Sequence, residues 1–422
     1  MPLSHAAAPE ASACSAASAR LGEPLAGTAP VAGRWLAIEQ PGPWGARALT
    51  DSRFPTELGR ALSLKADAAG VRIALIRRPG QHLEHDPGAP RRIFLADTRP
   101  ERGALWSWCT NDPATLLDLD FDVPGKPEHE AGPVLLVCTN SKRDACCALA
   151  GRALAAWLDE DARTDSAAVW ESDHLGGHRF APTAVVLPTG YVYGRLDGPS
   201  ARNLLRDAAA GRVAGPLCRG RSTWSRAGQA ADLALRAELQ EYAEDAVTVL
   251  GERRLDSVPG TPANAASTGE GEGAQVEQAR HLNPASGNPA NAASTGKGEH
   301  ERVEQAKRLD SVPGDPANAT SATGSVHAQV EQAKRPDSVP GDPANVASAA
   351  GGEGAQVERP ERRYEVSLAS GGDRFRAVLA ESAAAEPRPE SCGKASGTPL
   401  ELRLVSLEKD GGRWMVPSGQ HR

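Results

Sequence analysis

The tripeptide Pro-Ala-Asn begins at Pro262, Pro289, Pro316 and Pro343, so that each interval is 27 residues. Around it recur DSVPG, ASTG and the tail QVEQAK or a near variant, over 254–360. A fixed period of this length is one signature of a stacked solenoid. Each unit, however, supplies one or two valines and an occasional leucine. Stacked units would have no continuous core to bury, and the entropy of ordering them would go unmatched. The array is therefore expected to be a disordered insert of four 27-residue repeats, an expanded linker with no more than a transient helical turn at VEQAK. What folds is the remaining 315 of the 422 residues.

Patterning divides those residues into three regions. In 1–130, RWLAIE, VRIALIRR and RRIFLADT read as strands. Thr56–Gly70 reads as a helix with Leu58, Leu62, Ala66 and Ala69 on one face. This is a small α/β layer. In 131–243, PVLLVCTN, AAVWES and PTAVVLPTGYVYGRL give strands, the last a pair joined at Pro188-Thr189-Gly190. Asp144–Leu158 and Ser200–Gly211 give helices. The order strand, helix, strand, hairpin, helix resembles a thioredoxin-like domain. Ala181-Pro182-Thr183 at the head of a strand resembles that fold's proline-threonine step, where the proline is cis. In 244–253 and 361–422, EDAVTVLGE, a hairpin turning at Gly371-Gly372 and LELRLVSLEK form a β-rich C-terminal module. The repeat interrupts this module at a loop tip, where insertions cost little.

Charge and composition exclude several classes. The formal net charge of −7 lacks the basic footprint of a nucleic-acid binder. No apolar run approaches the ~20 residues of a membrane span, and the first residues lack the basic-then-apolar order of a secretory signal. Seven irregularly spaced cysteines point to a reducing, cytoplasmic setting rather than a disulfide framework.

Cys138 ends a strand, and Cys147 lies in the first turn of the next helix. His174 and His178 follow in SDHLGGHR. Two thiolates and two imidazoles suit zinc or a [2Fe–2S] cluster with histidines on one iron. A satisfied polar cluster without metal is the plain alternative. A helix N-terminus stabilises thiolates, and Gly176 and Gly177 would let backbone approach a bulky ligand. Helical spacing places Cys146 with Leu149, Ala150, Ala153 and Trp157 on an inward face, as a core residue. Cys14 and Cys109 lie outside any motif. Cys392 reads as core or as a nearby redox group. Lys142 and Arg143 read either as a docking or charge-offsetting pair or as an ordinary solvated loop. His82, His85 and His129 read as surface, and Arg219–Trp224 as a basic loop.

CTNSKRDACCALAGRAL, VWESDHLGGHRFAPTAVVLPTGYVYGRL and PESCGKA resemble the sucrase/ferredoxin-like family, as do WLAIEQPGPWG, LIRRPG and RRIFLADT. The resemblance covers nearly everything except the repeat array, the one departure from the family pattern. It implies a thioredoxin-like ferredoxin domain whose [2Fe–2S] cluster is held by Cys138, Cys147, His174 and His178. No pair of carboxylates suggests the sucrose hydrolysis in the family's name. The expectation is thus an α/β iron–sulfur protein passing single electrons to a redox partner protein, with proton coupling through its histidines. A thioredoxin-like binding module with structural zinc in the same ligands is the alternative. A thiol enzyme using the vicinal Cys146 and Cys147 is weaker, because vicinal cysteines close a strained ring.

Overall fold

The computed structural model describes residues 14–81, 86, 88–100, 102–122, 128–129, 132–161, 163–213, 215–255 and 361–412. All of these belong to one unit, 1–262 with 357–422. The repeat array expected to be disordered lies outside the described residues, as do His82, His85 and the side chain of His129.

Along the chain come α1 (Cys14–Arg20), β1 (Arg34–Glu39), α2 (Ala48–Asp51), α3 (Thr56–Ala68), β2 (Val71–Arg77), β3 (Arg91–Asp97), β4 (Ala104–Thr110), β5 (Glu128–His129) and β6 (Val134–Cys138). A helix then starts at Ala145, passes through a π-helical turn at Cys147–Gly151 and continues as α4 (Arg152–Glu160). After it come β7 (Val169–Ser172), β8 (Ala184–Leu187), β9 (Tyr191–Tyr193), α5 (Gly198–Ala209), β10 (Cys218–Arg221), α6 (Arg226–Leu239) and β11 (Thr248–Leu255). Beyond the repeat lie β12 (Arg362–Ser370), β13 (Asp373–Ala383), β14 (Arg388–Pro389), β15 (Ser396–Gly397) and β16 (Leu400–Lys409). Among the described residues no helix is long and apolar enough to cross a membrane.

The fold is mixed α/β, with a ten-stranded sheet in the order β10-β9-β8-β6-β7-β2-β1-β3-β4-β5 and a separate four-stranded sheet, β11-β12-β13-β16. Pairs β1–β2 and β6–β7 run parallel. The antiparallel contact of β2 with β7, Ile76 opposite Ser172 and Arg77 opposite Glu171, makes one sheet of the segments before and after residue 130. The Ala181–Pro182 peptide at the head of β8 is cis.

Strand alternation sends Leu135 and Val137 to one face of β6 and Leu136 and Cys138 to the other. The first pair packs with Leu154, Ala155, Leu158, Ala201 and Leu204 of α4 and α5. The second joins a core that runs along both halves of the sheet through Trp35, Ile76, Phe94 and Trp170. Helix α3 buries Leu62 and Ala66 against Leu36, Ile38 and Leu75. Gly70, which follows its last turn, has φ +65°, the left-handed C-terminal stop that glycine adopts without strain.

Helix α6, which the sequence reading passed over, joins the two sheets. Its Ala227, Ala231 and Leu235 pack on Val366, Leu368, Phe375 and Leu379. An adjoining face carries Asp232, which accepts from Tyr191 Oη at 3.2 Å and pairs with Arg236 at 3.0 Å. Strands β11 and β12 are antiparallel neighbours, with Leu255 opposite Arg363. The repeat thus leaves and re-enters the fold where a hairpin loop would stand.

Candidate metal centre

Every residue of β6 is buried, as expected of a central strand of aliphatic side chains flanked on both edges. Cys138 closes it, its Sγ donating to Asp173 O at 3.0 Å. The chain then turns on Asn140, whose Oδ1 accepts from Lys142 N at 3.0 Å while its Nδ2 donates to Gly45 O at 3.1 Å. Gly151 lies against the Cys138 carbonyl, where a Cβ would overlap backbone. This close approach seats the π turn, and with it Cys147, beside the end of β6.

The histidines arrive from the neighbouring strand. Past β7, Asp173 N donates to Leu75 O at 2.9 Å, and Arg72 Nη2 donates to His174 O at 3.0 Å. Gly176 and Gly177 both take positive φ, +85° and +73°, and reverse the chain into the short turn His178–Phe180. The rings of His174 and His178 stack with centroids 4.5 Å apart. His178 Nδ1 lies 3.6 Å from Cys147 Sγ. The structure therefore brings Cys138, Cys147, His174 and His178 to one place. Both cysteines are buried and both histidines half-buried, so the imidazole end is nearer solvent.

Electrostatics sets the protonation of these groups. The Cys147 thiol donates toward the Cys138 sulfur, which lowers Cys138 and raises Cys147: the pair gives up one proton readily and the second with difficulty. Burial pushes His174 down to about 3, helped by the charges of His178, Arg143, Arg72 and Arg219. Burial lowers His178 too, against the pull of Asp144. Both imidazoles are neutral at physiological pH, the form that binds metal. Among the described residues, His174 Nδ1 is buried with no hydrogen-bond partner.

Three expectations are corrected. Leu149 is 70 % exposed and Trp157 36 %, so the inward face assigned to Cys146 is not inward. The π turn adds a residue to one helical turn and rotates everything after it relative to the cysteines. Cys146 itself is buried in the core, as expected, and there it also meets Cys14, Asp144 and Cys392. Gly177 makes room not for a bulky ligand but for Arg219, whose guanidinium a Cβ would overlap. And Arg219–Trp224 is not a basic loop: it begins in β10, and Arg219 is buried. Arg219 donates to Gly176 O at 3.0 Å and Thr28 Oγ1 at 3.1 Å. Burial lowers its pKa to about 9, the neighbouring Arg179 adding to this and the Cys147 and Cys138 sulfurs opposing it.

A second cluster lies one residue away. Cys14, Asp144, Cys146 and Cys392 place their ligand atoms within 4.8 Å of one another, and among the described residues no other set of three or more His, Cys, Asp or Glu does so. Sγ–Sγ distances are 3.1 Å for Cys146–Cys392, 3.5 Å for Cys14–Cys146 and 3.6 Å for Cys14–Cys392. Hydrogen bonding from Cys14 leads in lowering Cys146 to about 5, against the effect of burial, and Cys14 is raised in turn. No sequence spacing joins these residues; only PESCGKA marks Cys392 as part of a motif.

Residues 25–220 match the family model described as sucrase/ferredoxin-like, the family that the motifs resemble. The matched stretch includes Cys138, Cys147, His174 and His178 and excludes Cys14 and Cys392. No curated protein and no solved structure matches the chain.

Proposed function

We propose that this chain, sucrase/ferredoxin-like over residues 25–220, holds a [2Fe–2S] cluster on Cys138, Cys147, His174 and His178 and passes single electrons in a reducing, cytoplasmic setting. The supporting observation is the arrangement of the donors. Two thiols and two neutral imidazoles gather at the end of β6, one imidazole nitrogen with no partner, yet they do not crowd around one point as Cys14, Asp144, Cys146 and Cys392 do. A single tetrahedral zinc at about 2.0–2.3 Å from each ligand would hold all four within about 4 Å of one another. Two metals, one taking the thiolates and one the imidazoles, ask only that each pair be close. Element order from β6 through the helix, β7, β8–β9 and α5 supports a thioredoxin-like reading of this part of the sheet.

When bound, the cluster supplies a one-electron acceptor whose histidine ligation raises its potential above that of all-cysteine plant-type ferredoxins, near roughly −400 mV. This chain's residues do the rest. Buried thiols and apolar neighbours exclude water from the cysteine end. Arg219, Arg72 and Arg143 put positive charge around the histidines, which favours the form carrying the extra electron. At a pH where the oxidised form has lost the N–H proton of an imidazole, that nitrogen would regain it on reduction. Exposed Lys142 and Arg143 beside the site give an acidic partner protein a place to dock.

The test is a pair of vicinal substitutions. Cys147→Ser is expected to abolish the visible absorption of the purified protein, and Cys146→Ser to retain it. The reverse pattern would place the cluster on the other thiol group.

A further inference from the structure

We propose that Cys14, Cys146, Cys392 and Asp144 form a second, structural metal site that takes one zinc ion. This does not rest on the [2Fe–2S] reading of the neighbouring quartet. The three sulfurs make a closed triangle with sides of 3.1, 3.5 and 3.6 Å, and Asp144 Oδ1 and Oδ2 lie 3.8 and 3.7 Å from Cys14 Sγ. Tetrahedral ligands of zinc, at about 2.3 Å for sulfur and 2.0–2.2 Å for oxygen, stand about 3.5–3.8 Å apart; two sides of the triangle and both Asp144–Cys14 distances meet this, and the Cys146–Cys392 side would open by a few tenths of an ångström on binding. A disulfide between Cys146 and Cys392 would use two thiols and leave the third, together with a carboxylate, buried against it. Thiolate donors with one oxygen suit zinc over calcium or magnesium, which take oxygen ligands.

The surroundings are those of a built site. Asp144 is buried and held by three donors: Cys146 N at 2.7 Å on Oδ1, and Cys392 N and Ser391 Oγ, each at 2.8 Å, on Oδ2. Oδ1 also lies within reach of the Cys14 thiol, at 3.8 Å, and the three bonds fix the carboxylate as outer-shell partners fix metal ligands. Binding displaces to solvent the protons of those thiols still protonated, and the metal keeps its +2 charge throughout.

The four ligands come from three places in the chain: α1, the start of the helix that carries Cys147, and the turn between β14 and β15. Cys14 and Cys392 stand 378 positions apart, on either side of the repeat. Zinc here would pin both ends of the chain to the helix that presents Cys147, without being part of the electron-transfer site.

Zinc content of the purified full chain, with zinc-edge X-ray absorption, tests this. We expect about one equivalent of zinc, with about three sulfurs and one oxygen as neighbours. Cys14→Ser and Cys392→Ser should each lower zinc at least several-fold, and Cys138→Ser should leave it unchanged. A wild type without zinc, a Cys146–Cys392 disulfide in the intact mass, or a zinc shell of two sulfurs and two nitrogens would each overturn the proposal. The wild-type absorption spectrum decides the matter even where a variant fails to fold. Loss of visible colour in Cys138→Ser bears on the [2Fe–2S] reading alone.

Discussion

Cys146 and Cys147 are neighbours in sequence and belong to different clusters: Cys146 Sγ lies 3.1 Å from Cys392 Sγ, and Cys147 Sγ lies 3.6 Å from His178 Nδ1. Successive residues of a helix are rotated by about 100°, so one turn can serve two groups on different sides. The arrangement also argues against a vicinal dithiol acting as one redox unit, since each sulfur faces partners other than its neighbour. A displacement of the π turn would disturb both groups together.

Glu23 ties the same parts together by charge. It pairs with Arg179, next to His178, at 2.7 Å and with Arg388, four positions before Cys392, at 2.9 Å. Burial alone would raise its pKa, but Arg388 and Arg179 outweigh burial and the net shift is downward. A depressed folded-state value contributes stability above the unfolded value, about 4.3 for glutamate, and loses it as pH falls through the folded value. Glu23→Gln should therefore destabilise the protein at neutral pH by about 3–5 kcal/mol, and the gap from wild type should close in strongly acidic solution. Urea denaturation at several pH values measures it. A gap independent of pH would mean that packing, not charge, is what Glu23 supplies.

Gly176 and Gly177 differ in what surrounds them. Both have positive φ, but a Cβ at Gly176 meets nothing within 4 Å, whereas one at Gly177 overlaps the Arg219 guanidinium. Gly176→Ala should cost only the left-handed backbone penalty, about 1–2 kcal/mol. Gly177→Ala should cost more and lose bound metal, because Arg219 must leave its bonds to Gly176 and Thr28. Thermal unfolding and metal content of the two variants compare them directly.

Strands β11 and β12 pair up to Leu255 and Arg363. Replacing 258–358 with a short Gly- and Asn-containing loop should leave folding and metal content intact. If the array is the flexible insert its composition suggests, shortening the closed loop by about four doublings gains about 2 kcal/mol. Loss of folding or metal in the deletant would give the array a structural role.

The legible part of the fold was its strands. Runs such as VLLVC and RRIFLAD alternate or are uniformly apolar, and they stand where the pattern put them. The gathering of Cys138, Cys147, His174 and His178 was legible too, because strand end, helix start and His-x3-His are local signals. The helix phase after Cys147 was not, since a π turn leaves no mark in apolar periodicity. Arg219 looked like loop because a charged residue in a four-residue strand is disguised by its glycine and arginine neighbours. The thiol triangle was illegible because its members meet only in the folded chain, 130 to 378 positions apart.

Under the proposed ligation, electron uptake is expected to couple to proton uptake at the imidazole nitrogen that does not bind metal. Reduction would return charge to the metal and raise the pKa of that nitrogen, so the reduced form would bind the proton more tightly. Between the histidine pKa values of the oxidised and the reduced form the potential should fall by about 59 mV per pH unit for one proton per electron. Redox titration at several pH values checks this, with His174→Cys and His178→Cys variants alongside. A flat wild-type potential, or the same slope in a cysteine variant, would remove the histidines from that role.

A [2Fe–2S] cluster on Cys138, Cys147, His174 and His178 is read out by iron and acid-labile sulfide analysis of the anaerobically purified full chain. About two irons and two sulfides per chain are expected, both lost in Cys138→Ser. Iron and sulfide near zero in wild-type protein purified without oxygen, with the quartet's thiols free or bound to zinc, would contradict it.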